Sequence, residues 1–252
     1  MSVVYQIRNG VAWLTIDRPE ARNSLNRAVR DGLFEGVRRF NGDPDAKVLV
    51  LTGAGDKAFC AGGDLKEMST ERLTIPPVDF VPQFSRNIAV DKPTIAAVNG
   101  VAFAGGFLLA QTCDLCVAAT TAQFGITEVK VGRGSPWAAP LPLMIPRRVA
   151  TELALTGAPM SAQRAYEIGF VNRLAEPGEL VAVTQALAEQ IAANAPLSVA
   201  AGKQTATLTA EYPLTDAFDR AEKIWAPVYL SDDAQEGMQA FREKRAPQWK
   251  GR

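Results

Sequence analysis

The sequence predicts an α/β core followed by a tail of helices, and three observations carry that reading. Two runs of β-branched and apolar residues, 48–52 and 94–98, each lead through a glycine-rich turn into a helical pattern. From Arg147 onward, amphipathic segments at helical spacing replace the strand-like runs. At 252 residues the chain can bury one sizeable α/β core, alone or with a helical appendage.

Residues 3–7 and 11–16 alternate in strand fashion around Asn9-Gly10, a strong hairpin turn. Asn26 is placed to cap a helix running to about Phe40, with Leu25, Val29, Leu33, Phe34, Val37 and Phe40 at helical spacing. Asp43-Pro44-Asp45 ends it, and 48–52 reads as a fully buried strand. Phe59-Cys60-Ala61-Gly62-Gly63-Asp64 is the first glycine-rich turn, and 69–84, with Pro76, Pro77 and Pro82, reads as a surface segment. The strand at 94–98 leads to Ala104-Gly105-Gly106 and a helix over 105–112, then to short strands near 115–118 and 122–124. This alternation implies βαβ units with right-handed crossovers. In the tail, helices are expected over 147–155, 161–168 with Ser161 as cap, 179–193, 196–209, 214–229 and 233–245, interrupted by one short strand at Phe170-Val171. No internal repeat is visible in the residues.

Composition removes several classes of function. Lys plus Arg (27) equals Asp plus Glu (27), so the chain carries no overall electrostatic footprint for nucleic acid or an anionic membrane. The N-terminus lacks the basic-then-apolar order of a signal peptide, and the longest apolar stretch, 101–110, is too short to span a bilayer. Three cysteines suit a reducing compartment, so the expected location is the cytoplasm. With no histidine, Ser-His and Cys-His triads, imidazole bases and His-ligated metals are all unavailable. Cys113 and Cys116 have CxxC spacing, but three cysteines without histidine do not complete a structural zinc site; the pair reads as two small packed residues, with a thioredoxin-like redox role as the alternative. Gly53-Ala54-Gly55-Asp56-Lys57-Ala58 fits a dinucleotide-binding pattern, yet Phe59-Cys60-Ala61-Gly62-Gly63 follows it where an apolar helix should receive the pyrophosphate.

Catalysis must then use carboxylates, lysine, tyrosine, hydroxyls or the backbone. A glycine turn that opens a helix presents free N–H groups. Two such turns side by side can aim two donors at one oxygen, which is the layout of an oxyanion hole. Glu128, just past a short strand and among apolar neighbours, is the candidate acid/base, because burial raises a carboxyl toward the range useful for proton transfer.

At these residues the chain resembles the crotonase superfamily, the enoyl-CoA hydratase/isomerase family. The likeness runs through the segment from Asp17 to Asn26, the turn from Phe59 to Asp64, Val98-Asn99-Gly100 through Asp114, Gln123-Phe124-Gly125 through Glu128, and the run from Gly237 to Arg245. It implies a crotonase-like (ClpP/crotonase) α/β fold of repeated ββα units, with a core over 1–195 and a helical oligomerisation region over 196–252, assembling as a homotrimer or homohexamer. It also implies acyl-CoA thioester substrates of the kind met in fatty acid metabolism, with coenzyme A as part of the substrate and no separate cofactor, metal, nucleic acid or membrane partner. Gly63 and Gly105 take the family's oxyanion-hole positions. Arg22 and the first glycine turn, with Ala61, Asp64 and Leu65, line the CoA cleft, although Asp64 reads as a helix-start cap or structural ion pair rather than a catalyst. For Lys244 two readings stand, a contact to a CoA phosphate or a solvated charge. The family's hydratases carry two glutamates. Leu108 occupies the first position and Glu128 the second, which favours the single-glutamate enoyl-CoA isomerases. Hydratase or other lyase chemistry is the alternative, and a non-catalytic acyl-CoA-binding protein is the alternative of another class. Trp137 is placed to wall an acyl pocket and Arg133 to meet a polar acyl group; packing and surface roles stand beside both.

Overall fold

The computed structural model describes residues 2–84 and 86–252. Met1, the first residue of the N-terminus read above, lies outside them. Strands β1 (Val3–Arg8) and β2 (Val11–Ile16) form the expected antiparallel hairpin, with Asn9 and Gly10 both at left-handed φ in the turn. Helix α1 (Arg27–Gly42) starts where Asn26 accepts the Val29 N–H at 3.0 Å, and it buries Val29, Leu33, Val37 and Phe40. Adjacent residues of β2 point to opposite faces. Leu14 meets α1 at Gly36, and the Trp13 indole donates to Gln185 on a later helix, so helices cover both faces of the sheet here.

Next come β3 (Val48–Gly53), β4 (Ala58–Cys60) and α2 (Leu65–Thr70), then β5 (Thr94–Val98), β6 (Val101–Phe103) and α3 (Gly105–Thr112), then β7 (Leu115–Ala119), β8 (Gln123–Gly125) and a 3-10 turn at Thr127–Val131. These are three successive strand–strand–helix units. The first strand of each joins a large sheet of order β1-β2-β3-β5-β7-β10, with β10 at Arg173–Ala175, and the second joins a small sheet of order β4-β6-β8-β9, with β9 at Met160–Ser161. The repeat is therefore real, although no periodicity betrays it. Three-residue second strands are too short to show a pattern, and β4 and β6 fall where the residues read as glycine turn and connection.

The chain continues through α4 (Leu141–Met144), α5 (Arg147–Thr156), β9 (Met160–Ser161), α6 (Ala162–Glu167), β10 (Arg173–Ala175), α7 (Leu180–Ala192), α8 (Pro196–Ala206), α9 (Leu208–Glu211), α10 (Leu214–Tyr229) and α11 (Asp232–Glu243). Helix α7 supplies Gln185 and packs along the large sheet. The tail helices fall within a few residues of expectation, except that the one expected over 196–209 is two, α8 and α9, separated at Thr207, and Ser161 does cap α6. Phe170-Val171 is not a strand. Both residues are buried core, and the parallel pairing with β7 begins two residues later at Arg173. The dinucleotide reading fails in the structure as well: Gly55 turns at φ +81 and Ala58 opens β4, so no helix receives that loop. Cys60, Cys113 and Cys116 are buried free thiols whose protonated form is favoured by burial. Phe218, Tyr229, Leu230 and Phe241 leave an apolar surface along α10 and α11 in the single chain. No helix among the described residues is long and apolar enough to cross a membrane.

Candidate active site

Strands β4, β6 and β8 are neighbours in the small sheet and run parallel, so their C-terminal ends share one edge. The first glycine turn leaves β4, the second leaves β6, and the loop bearing Glu128 leaves β8. Adjacent strands lie about 4.8 Å apart, which brings three segments far apart in sequence to the same edge.

The two turns touch. A Cβ added to Gly62 would lie 2.8 Å from the Ala104 Cβ and 3.5 Å from the Gly105 nitrogen, and Gly62 sits at φ +98, a backbone region that disfavours a side chain. A Cβ on Gly105 would lie 3.9 Å from the Gly63 nitrogen. The Gly63 N–H turns away from the neighbouring chain. In the parallel bridge Leu25–Gly63, Leu25 donates to the Gly62 carbonyl and Asp64 donates to the Leu25 carbonyl, leaving the Gly63 amide on the opposite side. Gly105 opens α3, so its amide has no intrahelical acceptor. Ala104 before it is held at φ 52, ψ −121, with its N–H donating to the Gly125 carbonyl at 2.9 Å. This strained residue orients the peptide that carries the Gly105 amide.

That same Gly125 carbonyl ties the second turn to the Glu128 loop. The Glu128 Oε1 accepts the Trp137 indole N–H at 2.7 Å, while Oε2 is buried with no partner in the protein. Burial raises the Glu128 carboxyl above its usual range, and the Trp137 hydrogen bond opposes part of that rise. Trp137 is itself fixed: its ring packs edge-on against Phe107 of α3, and its carbonyl accepts the buried Gln111 amide at 2.9 Å. A carboxylate held by one oxygen, with the other buried and unpartnered, suits proton transfer. Replacing Trp137 by Phe is expected to raise the Glu128 pKa further, because the bond that favours the ionised form is lost. The acidic limb of the pH–rate profile should then move to higher pH. An unmoved limb in a folded W137F protein contradicts this role.

The other expected site residues divide. Leu108 lies on α3 at 6 % exposure, three residues beyond the Gly105 amide, and offers no proton-transfer group. Ala61 donates to the Arg22 carbonyl at 3.0 Å, which lays the Arg22 segment beside the first glycine turn. Arg22 and Lys57 line one cleft with Pro19, Ala54 and Gly55. Leu65 stands exposed on the first turn of α2. Asp64 makes both the helix-start cap and the ion pair expected of it. Its Oδ1 caps α2 through Lys66 and Glu67, and its Oδ2 pairs with Arg18 at 2.6 Å, which holds the carboxyl below its usual range. Lys244 caps the end of α11 at φ 54, exposed, and among the described residues it makes no ion pair. Arg133 donates from Nη1 to the Leu73 carbonyl at 2.9 Å, so it reaches inward rather than into solvent. Sequence reasoning missed the Trp137–Glu128 bond and Gln111 behind it. A lone indole nine residues from a glutamate carries no local signal of contact.

Two adjacent glycine amides and one part-buried carboxylate, on a fold of repeated ββα units, fit the crotonase type of enzyme. A family model described as Enoyl-CoA hydratase/isomerase matches residues 6–252, and the chain belongs to that family. It is 40 % identical over 255 residues, covering all of both chains, to an (E)-benzylidenesuccinyl-CoA hydratase of Thauera aromatica. It is 39 % identical, over 97 % of each chain, to a carnitinyl-CoA dehydratase of Salmonella typhi. Among solved structures, enoyl-CoA hydratase EchA1 from Mycobacterium marinum superposes with a TM-score of 0.92 at 43 % identity, covering 100 % of this chain and 99 % of its own.

Proposed function

We propose that the protein acts on acyl-CoA thioesters through an enolate and that its reaction is double-bond isomerisation. The Gly63 and Gly105 amides hold the thioester oxygen. Glu128 takes a proton from C2 of a 3-enoyl thioester, and the C–H electron pair moves onto the thioester carbonyl as an enolate. As the enolate collapses, the double bond shifts to C2–C3 and Glu128 returns the proton to C4. No atom is gained or lost, and one carboxylate suffices. The hole contributes about 10²–10³ in rate per donor by analogy with other oxyanion sites. Arg22 and Lys57 in one cleft suit the phosphates of coenzyme A.

The observation that carries this reading is Leu108, an apolar side chain where a second acid/base would stand. Hydration is the second reading, favoured by the names of the relatives above, a hydratase and a dehydratase. Incubation with 3-enoyl-CoA and 2-enoyl-CoA separates the two. Isomerisation gives conjugated 2-enoyl product without a change of mass, whereas product heavier by one water replaces isomerase with hydratase. Binding of both thioesters without turnover assigns the protein a non-catalytic role.

A further inference from the structure

We infer that Arg133 recognises an anionic group, a carboxylate, on the acyl part of the substrate. The inference deepens the acyl-CoA reading above and rests on it. Among the described residues, four buried side-chain polar atoms lack any partner, and two of them, Glu128 Oε2 and Arg133 Nη2, come from one short loop. That loop turns back on itself at Gly132, which adopts a left-handed φ of +66, and the Arg133 N–H donates to the Glu128 carbonyl at 3.0 Å.

The Arg133 side chain crosses from this loop to the segment after α2. Its Nη1 donates to the Leu73 carbonyl, and the Leu73 N–H donates to the Met68 carbonyl at 2.9 Å. Met68 stands over the oxyanion turn, where a Cβ on Gly63 would lie 2.7 Å from its sulfur. Arg133 therefore bridges the wall that carries the acid/base and the wall that carries an oxyanion donor. A group meeting it there belongs to the acyl moiety rather than to the nucleotide end in the Arg22–Lys57 cleft.

The electrostatics point the same way. A guanidinium stays charged at any working pH. Among the described residues Arg133 has no carboxylate within 4.0 Å, although its Nη2 is buried and a buried charged nitrogen is ordinarily paired. One nitrogen is anchored by a neutral carbonyl, which sets the plane of the fork, and its neighbour is left dry and unused. A ligand carboxylate would supply both the missing hydrogen bond and the missing charge, at a nitrogen already out of solvent on a fork already oriented.

The test compares saturated thioesters, which bind without turnover, in pairs matched for chain length: malonyl- with propionyl-CoA, succinyl- with butyryl-CoA, glutaryl- with pentanoyl-CoA, and adipyl- with hexanoyl-CoA. Affinities are measured by calorimetry on the whole protein. At one or more lengths the diacid is expected to bind at least about tenfold more tightly than its partner, a difference within reach of one charge-assisted hydrogen bond. Arg133→Met should bring that ratio to within about threefold of unity, and Arg133→Lys, which keeps charge but not the fork, should leave an intermediate ratio. Because coenzyme A is common to each pair, a role in packing or in binding a CoA phosphate would weaken both members equally and leave the ratio intact. An intact ratio in either variant that folds by circular dichroism overturns the inference. Binding of all thioesters without preference in the unmodified protein overturns it too, and leaves the acyl-CoA reading standing. Failure to bind any of them removes both.

Discussion

Glu128→Gln is expected to lower turnover by about 10²–10⁴-fold while leaving acyl-CoA affinity within a few-fold. Glutamine keeps the volume of the side chain and can still offer its carbonyl oxygen to the Trp137 indole at the position of Oε1. Fold and cleft should therefore survive. What disappears is the proton-accepting oxygen, the buried and unpartnered Oε2, which glutamine replaces with an amide nitrogen that cannot act as a base. The Gly63 and Gly105 amides, proposed to hold the thioester oxygen, remain, so residual activity above the uncatalysed rate is expected. The pH dependence changes with it. Burial raises the Glu128 carboxyl, and a base must be ionised, so wild-type activity should rise with pH through that elevated pKa. This limb should be absent from the variant's residual rate. A glutamine variant within tenfold of wild type removes Glu128 as the proton carrier.

Much of this architecture is legible in the residues because local chemistry decides it. Asn26 and Ser161 cap helices by hydrogen bonds to amides three residues ahead, and the Asn9-Gly10 turn needs only its own backbone freedom. The helix over 105–112 lands on its expected bounds because a continuous apolar run follows the glycine start. The small sheet is not legible. Strands β4 and β6 have three residues each, and Gly62-Gly63 just beyond β4 dominates any local reading. Only pairing between distant segments makes them strands, and that pairing places Gly63, Gly105 and Glu128 at one edge. Phe170-Val171 illustrates the opposite error. Burial and β-branching suggest a strand, but the ladder with β7 begins at Arg173, because register follows from the partner and not from hydrophobicity. The Arg133 and Trp137 contacts span 60 and 9 residues respectively, and neither leaves a periodic trace.

The site depends on a close approach that a single methyl should destroy. Gly106→Ala is expected to cost more than about 3 kcal/mol and to lower Tm by roughly 6–12 °C in a domain of this size. Helix propensity alone argues the other way, since alanine is favoured over glycine by about 1 kcal/mol inside a helix. Sterics wins because the added Cβ would lie inside the van der Waals shell of the Cys60 carbonyl oxygen, 2.8 Å from the carbonyl carbon and 3.0 Å from the Cys60 Cβ. The obstacle is chiefly backbone of a fully buried strand, so it cannot swing aside as the end of a long side chain would. Helix α3 must move off β4, and the Gly105 amide one residue earlier moves with it, away from Gly63. Activity should accordingly fall by about 10²–10³-fold in the fraction that folds, the amount associated with losing one oxyanion donor. Gly202→Ala is the control. It lies within α8 with no atom near the added Cβ, so propensity acts unopposed and stability should rise by about 0.5–1 kcal/mol. Thermal unfolding of the two variants separates sterics from propensity, and equal effects would mean that α3 does not pack against β4 as described.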